Sequence, residues 1–251
     1  MASVISAAGS CVELIDVRRT YRTAAGEVSV LDGVSASFDA GTFTAVMGPS
    51  GSGKSTLLHC AAGLDQVTSG DVRIGGVSIV GMPDRQLTRL RQETIGFVFQ
   101  AFHLIPALTV RQNAELPRQL AGRPAPAAEV DKVLNAAGLA GLARHRPAAL
   151  SCGDKQRVAI ARALLMTRPG IVFADEPTGA LDLAASRGVL NLLRRLVDES
   201  GITLVMVTQD PKVASRADRT LFLADGRIVA EAGQLGTATV AEHLVALQTA
   251  V

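Results

Sequence analysis

Residues 42–56 read TFTAVMGPSGSGKST. An apolar run passes into a turn of glycines and serines, and a helical pattern follows, which is a strand–loop–helix reading. Residues 48–56 match G-x-x-x-x-G-K-[ST] in that context, where the pattern predicts a phosphate cradle. The loop Gly48-Pro49-Ser50-Gly51-Ser52-Gly53 can wrap tightly, so that its backbone N–H groups converge on phosphate oxygens. Lys54 is placed to reach the β and γ phosphates of a nucleotide. Ser55 is placed to hold Mg2+, and Thr56 completes the pattern.

A magnesium nucleotide needs a carboxylate at the end of a neighbouring strand. IVFADEPTGALD supplies it at residues 171–182, where four apolar residues end in Asp175 and Glu176. Asp175 is the candidate to hold the metal through its water shell. Glu176 points the other way and is the candidate to accept a proton from an attacking water. IGFVF (95–99), GIVFAD (170–175) and GITLVMVT (201–208) are nearly continuous apolar runs. Continuous runs fit strands covered on both faces, as in a parallel sheet. Between the last two, Val189, Leu192, Leu193, Leu196 and Val197 share one helical face. Strand, helix, strand is an α/β pattern.

Further out, CVELIDVRRTY, VSVLDGVSASF and DVRIGGVSIV predict antiparallel strands. Residues 108–150 predict two or three helices around the linker GRPAPAAE. ADGRIVAEAG predicts a hairpin turning at Asp225-Gly226. TVAEHLVALQTAV predicts an amphipathic helix with Val240, Leu244, Leu247 and Val251 on one side, packed on its own domain, and a capping box at Thr239 and Glu242. The opening MASVISAAGSC ends like a lipoprotein cleavage site. It has no positive n-region and too short an apolar run, and reads as a frayed tail.

The bulk composition excludes several classes. The 25 basic and 23 acidic residues leave a net charge of +2, without the concentrated basic stripe that nucleic-acid binding needs. Aromatics are 3% of the chain, too few for base-stacking platforms. Cys11, Cys60 and Cys152 are odd in number and far apart, which argues against a zinc site or a disulfide framework. The longest apolar stretch, IGFVFQAFHLIPALTV, is broken by Gln100, His103 and Pro106 and cannot span a bilayer.

With both phosphate-site motifs in place, the chain resembles an ATP-binding-cassette (ABC) ATPase over nearly all its length. The resemblance implies an α/β fold, a P-loop NTPase of ABC type. Such a fold has a mixed parallel core sheet, an antiparallel β subdomain and an inserted α-helical subdomain at about 101–166. The cassette is expected over 11–236, between a disordered tail at 1–10 and a C-terminal amphipathic helix at 237–251. Tyr21 matches the aromatic that stacks on adenine. Gln100, in FVFQAFHLIP, matches the glutamine that joins the nucleotide and metal site to a membrane partner. LSCGDKQRVAIARAL (150–164) matches the family signature, and TGALD matches the loop that crosses a dimer interface through Asp182. AGLDQVTSGDVRIGG and LTRLRQETIGFVFQAFHLIPALTV are most similar to the branch serving macrolide exporters and lipoprotein-release systems.

In that family two cassettes pack head to tail. The resemblance therefore implies that Ser151, Gly153 and the helix after them cap the γ-phosphate held by the opposite subunit. It implies ATP and Mg2+ as cofactors, with no other metal. The implied partners are a second cassette, in a homodimer or a heterodimer, and an integral membrane permease on a separate chain. The implied location is peripheral, on the cytoplasmic face of the membrane.

Two positions depart from the family pattern. Cys152 stands where the signature has glycine, followed by Asp154 where glutamine is usual. Gln209 ends the strand ITLVMVTQD where the family has histidine; it keeps a hydrogen-bond donor but cannot become cationic. Three readings follow. The first is a transport ATPase with reduced turnover. The second is a degenerate cassette that binds ATP as a switch or pairs with a competent one. The third is a soluble ABC protein of translation or DNA repair, which generally carries two cassettes or a coiled-coil insertion.

Overall fold

Two long antiparallel strands, β1 (Ser10–Thr23) and β2 (Gly26–Asp39), come first. β3 (Phe43–Met47) then leads through the glycine loop into α1 (Lys54–Ala61). β4 (Ser69–Ile74) and the short β5 (Val77–Ser78) return to the first sheet, whose order is β2-β1-β4-β5. The computed structural model describes residues 10–24, 26–166 and 170–249. Residues 1–9 of the expected tail lie outside them, while Ser10 pairs with Asp39.

After α2 (Asp84–Thr94) and β6 (Ile95–Val98), the helical insertion carries α3 (Val110–Leu120), α4 (Ala127–Ala136), two 3-10 turns and α5 (Cys152–Met166). The chain re-enters the core as β7 (Ile171–Asp175), α6 (Leu183–Ser200) and β8 (Thr203–Val207). It closes with α7 (Pro211–Ala214), the hairpin β9 (Arg219–Ala224) and β10 (Arg227–Gly233), and α8 (Thr237–Thr249). The core sheet has the order β10-β9-β3-β8-β7-β6 and is parallel except for the hairpin.

Continuous apolar strands arise because both faces of this sheet are buried. Phe43, Ala45 and Met47 on β3 face the helical cluster with Leu204, Met206 and Phe222. Val46 faces the opposite cluster with Val205, Val207, Phe173 and Leu221, beneath α1 and the antiparallel sheet. Each fully buried side chain of this size contributes about 1.5–3 kcal/mol. The hairpin turns where the sequence places it, with Asp225 and Gly226 at φ 46 and 71.

The last helix begins at Thr237, the expected bound, but without the expected capping box: the Val240 N–H bonds the Gly236 carbonyl at 3.0 Å, so Thr239 and Glu242 lie inside the helix. Thr237 donates to the Ser215 hydroxyl at 3.0 Å, which ties the start of the helix to the segment after α7. Val240 is buried, Leu244 and Leu247 pack on the core, and His243 stacks on Phe222 at a centroid distance of 5.0 Å. Val251 lies outside the described residues.

Candidate functional site

The carboxyl ends of β3, β7 and β8 lie side by side, which is where open α/β sheets place ligands. Register makes this so: Val46 pairs with Val207, and Val207 pairs with Asp175. The Thr208 N–H bonds the Val46 carbonyl at 3.1 Å, and the Glu176 N–H bonds the Val207 carbonyl at 3.0 Å. Gly48, Asp175, Glu176 and Gln209 therefore emerge on one edge.

The loop after β3 is pressed against the protein. A Cβ on Gly48 would lie 2.0 Å from the Leu223 carbonyl oxygen, so no other residue fits there. Gly53 has φ 98 and forms the N-cap of α1; a Cβ there would lie 2.6 Å from the Val30 carbonyl oxygen. The Gly226 N–H bonds the Ser52 carbonyl at 3.1 Å, so Pro49, Ser50 and Gly51 arch outward from fixed ends. The first N–H groups of a helix lack intrahelical partners, and those of α1 at Lys54, Ser55 and Thr56 open this loop.

Lys54 is buried and its Nζ donates to the Gly48 and Pro49 carbonyls, at 3.0 and 2.6 Å. Burial lowers its pKa, while the charges of Glu176 and Asp175 oppose that shift. The ammonium thus lies inside the loop, within electrostatic reach of both carboxylates. Ser55 Oγ donates to Asp175 Oδ1 at 3.0 Å. These hard oxygen donors fit Mg2+, which usually takes one or two protein ligands and completes its shell with phosphate and water. Among the described residues no group of three or more His, Cys, Asp or Glu could hold a metal by itself.

Glu176 takes φ 43, unusual for a non-glycine residue. That turn swings its carboxylate toward β8, where Gln209 Nε2 donates to Glu176 Oε1 at 3.0 Å. Gln100 belongs to the same corner. A Cβ on Gly179 would lie 3.0 Å from Gln100 Nε2 and 3.4 Å from Glu176 Oε2, so both side chains converge over Gly179. Sequence reasoning missed Gly179 and the Glu176–Gln209 pair, because neither a positive φ nor a cross-strand neighbour has a local signal.

Tyr21 sits on β1. Its hydroxyl bonds Asp65 at 2.5 Å, and the Arg19 guanidinium lies 4.3 Å from its ring centroid. Arg19 also pairs with Asp65 at 2.7 Å. The ring is thus braced from one face and from its hydroxyl. Asp65, the brace, carried no signal in the sequence. Cys60 is buried, which pushes its thiol pKa up to about 12, and it is an inert core residue.

The signature turn starts α5. Ser151 Oγ accepts from the Asp154 N–H at 3.1 Å and bonds Asp154 Oδ2 at 2.5 Å, so Ser151 caps this helix. Ser151 and Cys152 are exposed, and Gly153 is buried. A Cβ on Gly153 would lie 3.0 Å from the Ala185 Cβ, so this glycine also lets α5 approach α6. Asp182 caps α6 by accepting from the Ala185 N–H at 2.8 Å. The structure therefore gives Ser151, Gly153 and Asp182 local roles in addition to those the sequence implied.

A family model described as ABC transporter matches residues 31–179. The chain is 48% identical over 223 residues to the lipoprotein-releasing system ATP-binding protein LolD of Anaeromyxobacter dehalogenans, covering 88% of this chain and 93% of that protein. It is 44% identical over 225 residues to the macrolide export ATP-binding/permease protein MacB of Marinobacter nauticus; that match covers 88% of this chain and 34% of that protein. Among solved structures it is similar to the dimeric, post-hydrolysis state of the ATP-binding cassette MJ0796 bound to ADP and Pi. There the TM-score is 0.81 with 40% identity, covering 90% of this chain and 99% of that one.

Proposed function

The chain belongs to the ABC transporter family of ATP-binding cassettes, and on that premise we propose that it works as the ATP-hydrolysing subunit of a membrane transporter. One observation carries the reading: a phosphate loop, a Ser55–Asp175 pair and a Glu176 carboxylate held by Gln209 meet at three neighbouring strand ends. The hydrolysing reading is favoured over the switch alternative. Glu176 remains available as a base, and Gln209 supplies it with a donor.

ATP lies with its phosphates along residues 48–56 and its adenine on the free face of Tyr21. Lys54 exchanges its two loop carbonyls for phosphate oxygens. Ser55 and Asp175, with Gln100 close by, would hold Mg2+, which would supply charge neutralisation on the phosphates. Glu176 accepts the proton of the attacking water. Its orientation is set by Gln209, which bonds one of its oxygens.

The same reading supplies the partners. Ser151 and Gly153 lie at the start of an exposed turn and act on ATP held by a second cassette, with Asp182 at the contact. A homodimer is the simplest assembly and a heterodimer is compatible with the same sites. The exposed segment after Gln100 docks on a permease carried by a separate chain. No helix among the described residues is long and apolar enough to cross a membrane. The transporter reading therefore places the chain as a peripheral subunit on the cytoplasmic side. Similarity to lipoprotein-release and macrolide-export proteins favours export or extraction from the membrane over import.

Steady-state phosphate release by the purified chain tests the reading. Hydrolysis should require ATP and Mg2+, and Lys54→Ala should abolish it while the fold persists by circular dichroism. Activity that survives Lys54→Ala overturns the assignment.

A further inference from the structure

α5 begins at the signature turn and then runs beneath the loop that carries Gln100. Two of its side chains grip that loop. Gln156 is 0% exposed; its Nε2 donates to the Phe99 carbonyl at 3.5 Å, while its Oε1 is buried with no partner. Reversing the amide would set two acceptors face to face, which favours this orientation. Arg162 lies six residues on, about 9 Å along the helix axis. Its guanidinium donates to the Phe102 carbonyl at 3.0 Å and the His103 carbonyl at 2.7 Å. Gln100 thus lies between two anchor points, Phe99 on one side and Phe102–His103 on the other, both fastened to one helix.

Stability does not account for Gln156. A bond at 3.5 Å is at the edge of hydrogen-bonding geometry. A buried acceptor without a partner is destabilising, and an apolar side chain of similar shape would avoid that penalty. What the amide does provide is a directional link to the residue just before Gln100.

We infer that Gln156 and Arg162 are positioning residues for Gln100, holding it in place at the magnesium-nucleotide site of its own subunit. The inference rests on the ATPase reading above.

The test uses the full chain carrying Glu176→Gln, with ATP-dependent dimerisation followed by light scattering as Mg2+ is titrated. Adding Gln156→Leu should raise the Mg2+ midpoint about tenfold, the usual scale for loss of a group that orients a metal ligand. ATP binding in EDTA should stay unchanged, and the thermal midpoint should be equal or higher. Arg162→Lys keeps the charge but loses the two-pronged grip and should shift the midpoint in the same direction. It serves as the primary variant if Gln156→Leu fails to fold. Combined with Gln100→Ala, neither should shift the midpoint further, because all three act through one group. An unchanged Mg2+ midpoint in both variants, or shifts that add to that of Gln100→Ala, overturns the positioning role. A Glu176→Gln parent that ignores ATP overturns the ATPase reading and this inference with it.

Discussion

At the scale of single residues, the chemistry depends on how one carboxylate is held. Glu176 adopts φ 43, and Gln209 Nε2 bonds its Oε1 at 3.0 Å. Holding a non-glycine residue in that region costs on the order of 1–3 kcal/mol, sustained by the surrounding structure. Glutamine does this without ever carrying charge, unlike the histidine that the family usually has at this place. Because Gln209 touches Glu176, its removal should act on the chemical step. Gln209→Ala should lower kcat by about 10²-fold, the lower end of the effect of losing one preorganised donor. KM for ATP should stay near the parental value, and Gln209→His, which restores a donor, should recover most of the rate. A Gln209→Ala protein that turns over at the parental rate would show the bond to be idle. That residue 209 can donate was legible in the sequence. Its partner was not, because the backbone turn at Glu176, whose N–H bonds the Val207 carbonyl of the neighbouring strand, has no local signal.

At the scale of elements, legibility followed burial. β3, β7 and β8 announce themselves because both of their faces are covered, which leaves few polar positions to blur the run. The phosphate loop was legible because G-x-x-x-x-G-K-[ST] is one contiguous pattern, although the clashes that its glycines avoid, at Val30 and Leu223, lie far away in sequence. The cap of α8 was not, since the Thr237–Ser215 contact joins segments 22 residues apart and the capping pattern at Thr239 falls inside the helix. The grip of α5 on β6 was equally hidden. Gly96, an unremarked glycine inside β6, lies where a Cβ would meet the Ala163 carbonyl oxygen at 2.8 Å and the Ala163 Cβ at 3.1 Å. The helix backbone therefore passes directly over the strand, and the glycine is a packing requirement. Gly96→Val should destabilise the protein by about 1–3 kcal/mol, as overpacking of a filled core does. Urea unfolding would register this as a lower midpoint at constant slope. An unchanged midpoint would mean that α5 and β6 can separate freely.

At the scale of the whole molecule, the question is what completes the site. The phosphate loop and its carboxylates occupy the strand ends, whereas Ser151 opens a separate helix and its exposed hydroxyl is bonded to Asp154 Oδ2 at 2.5 Å. In the head-to-tail assembly of the reading above, that hydroxyl must leave Asp154 to donate to a phosphate on the other copy. Asp154 would then hold a carboxylate close to a triphosphate, and like charges brought together oppose association. Arg157 offers a second home, since its Nη1 is 3.7 Å from Asp154 Oδ1. Closure is therefore expected to be reluctant and sensitive to residue 154. With ATP and Mg2+, Glu176→Gln should accumulate as a dimer in size-exclusion chromatography, because binding persists after the base is lost. Adding Asp154→Gln should tighten that dimer about tenfold, equivalent to about 1.4 kcal/mol. Raising salt should narrow the gap, since screening weakens the repulsion that Asp154 supplies. A Glu176→Gln protein that stays monomeric with ATP counts against completion of the site by a second copy. A dimer indifferent to Asp154→Gln would leave the assembly standing and remove Asp154 as the element that restrains it.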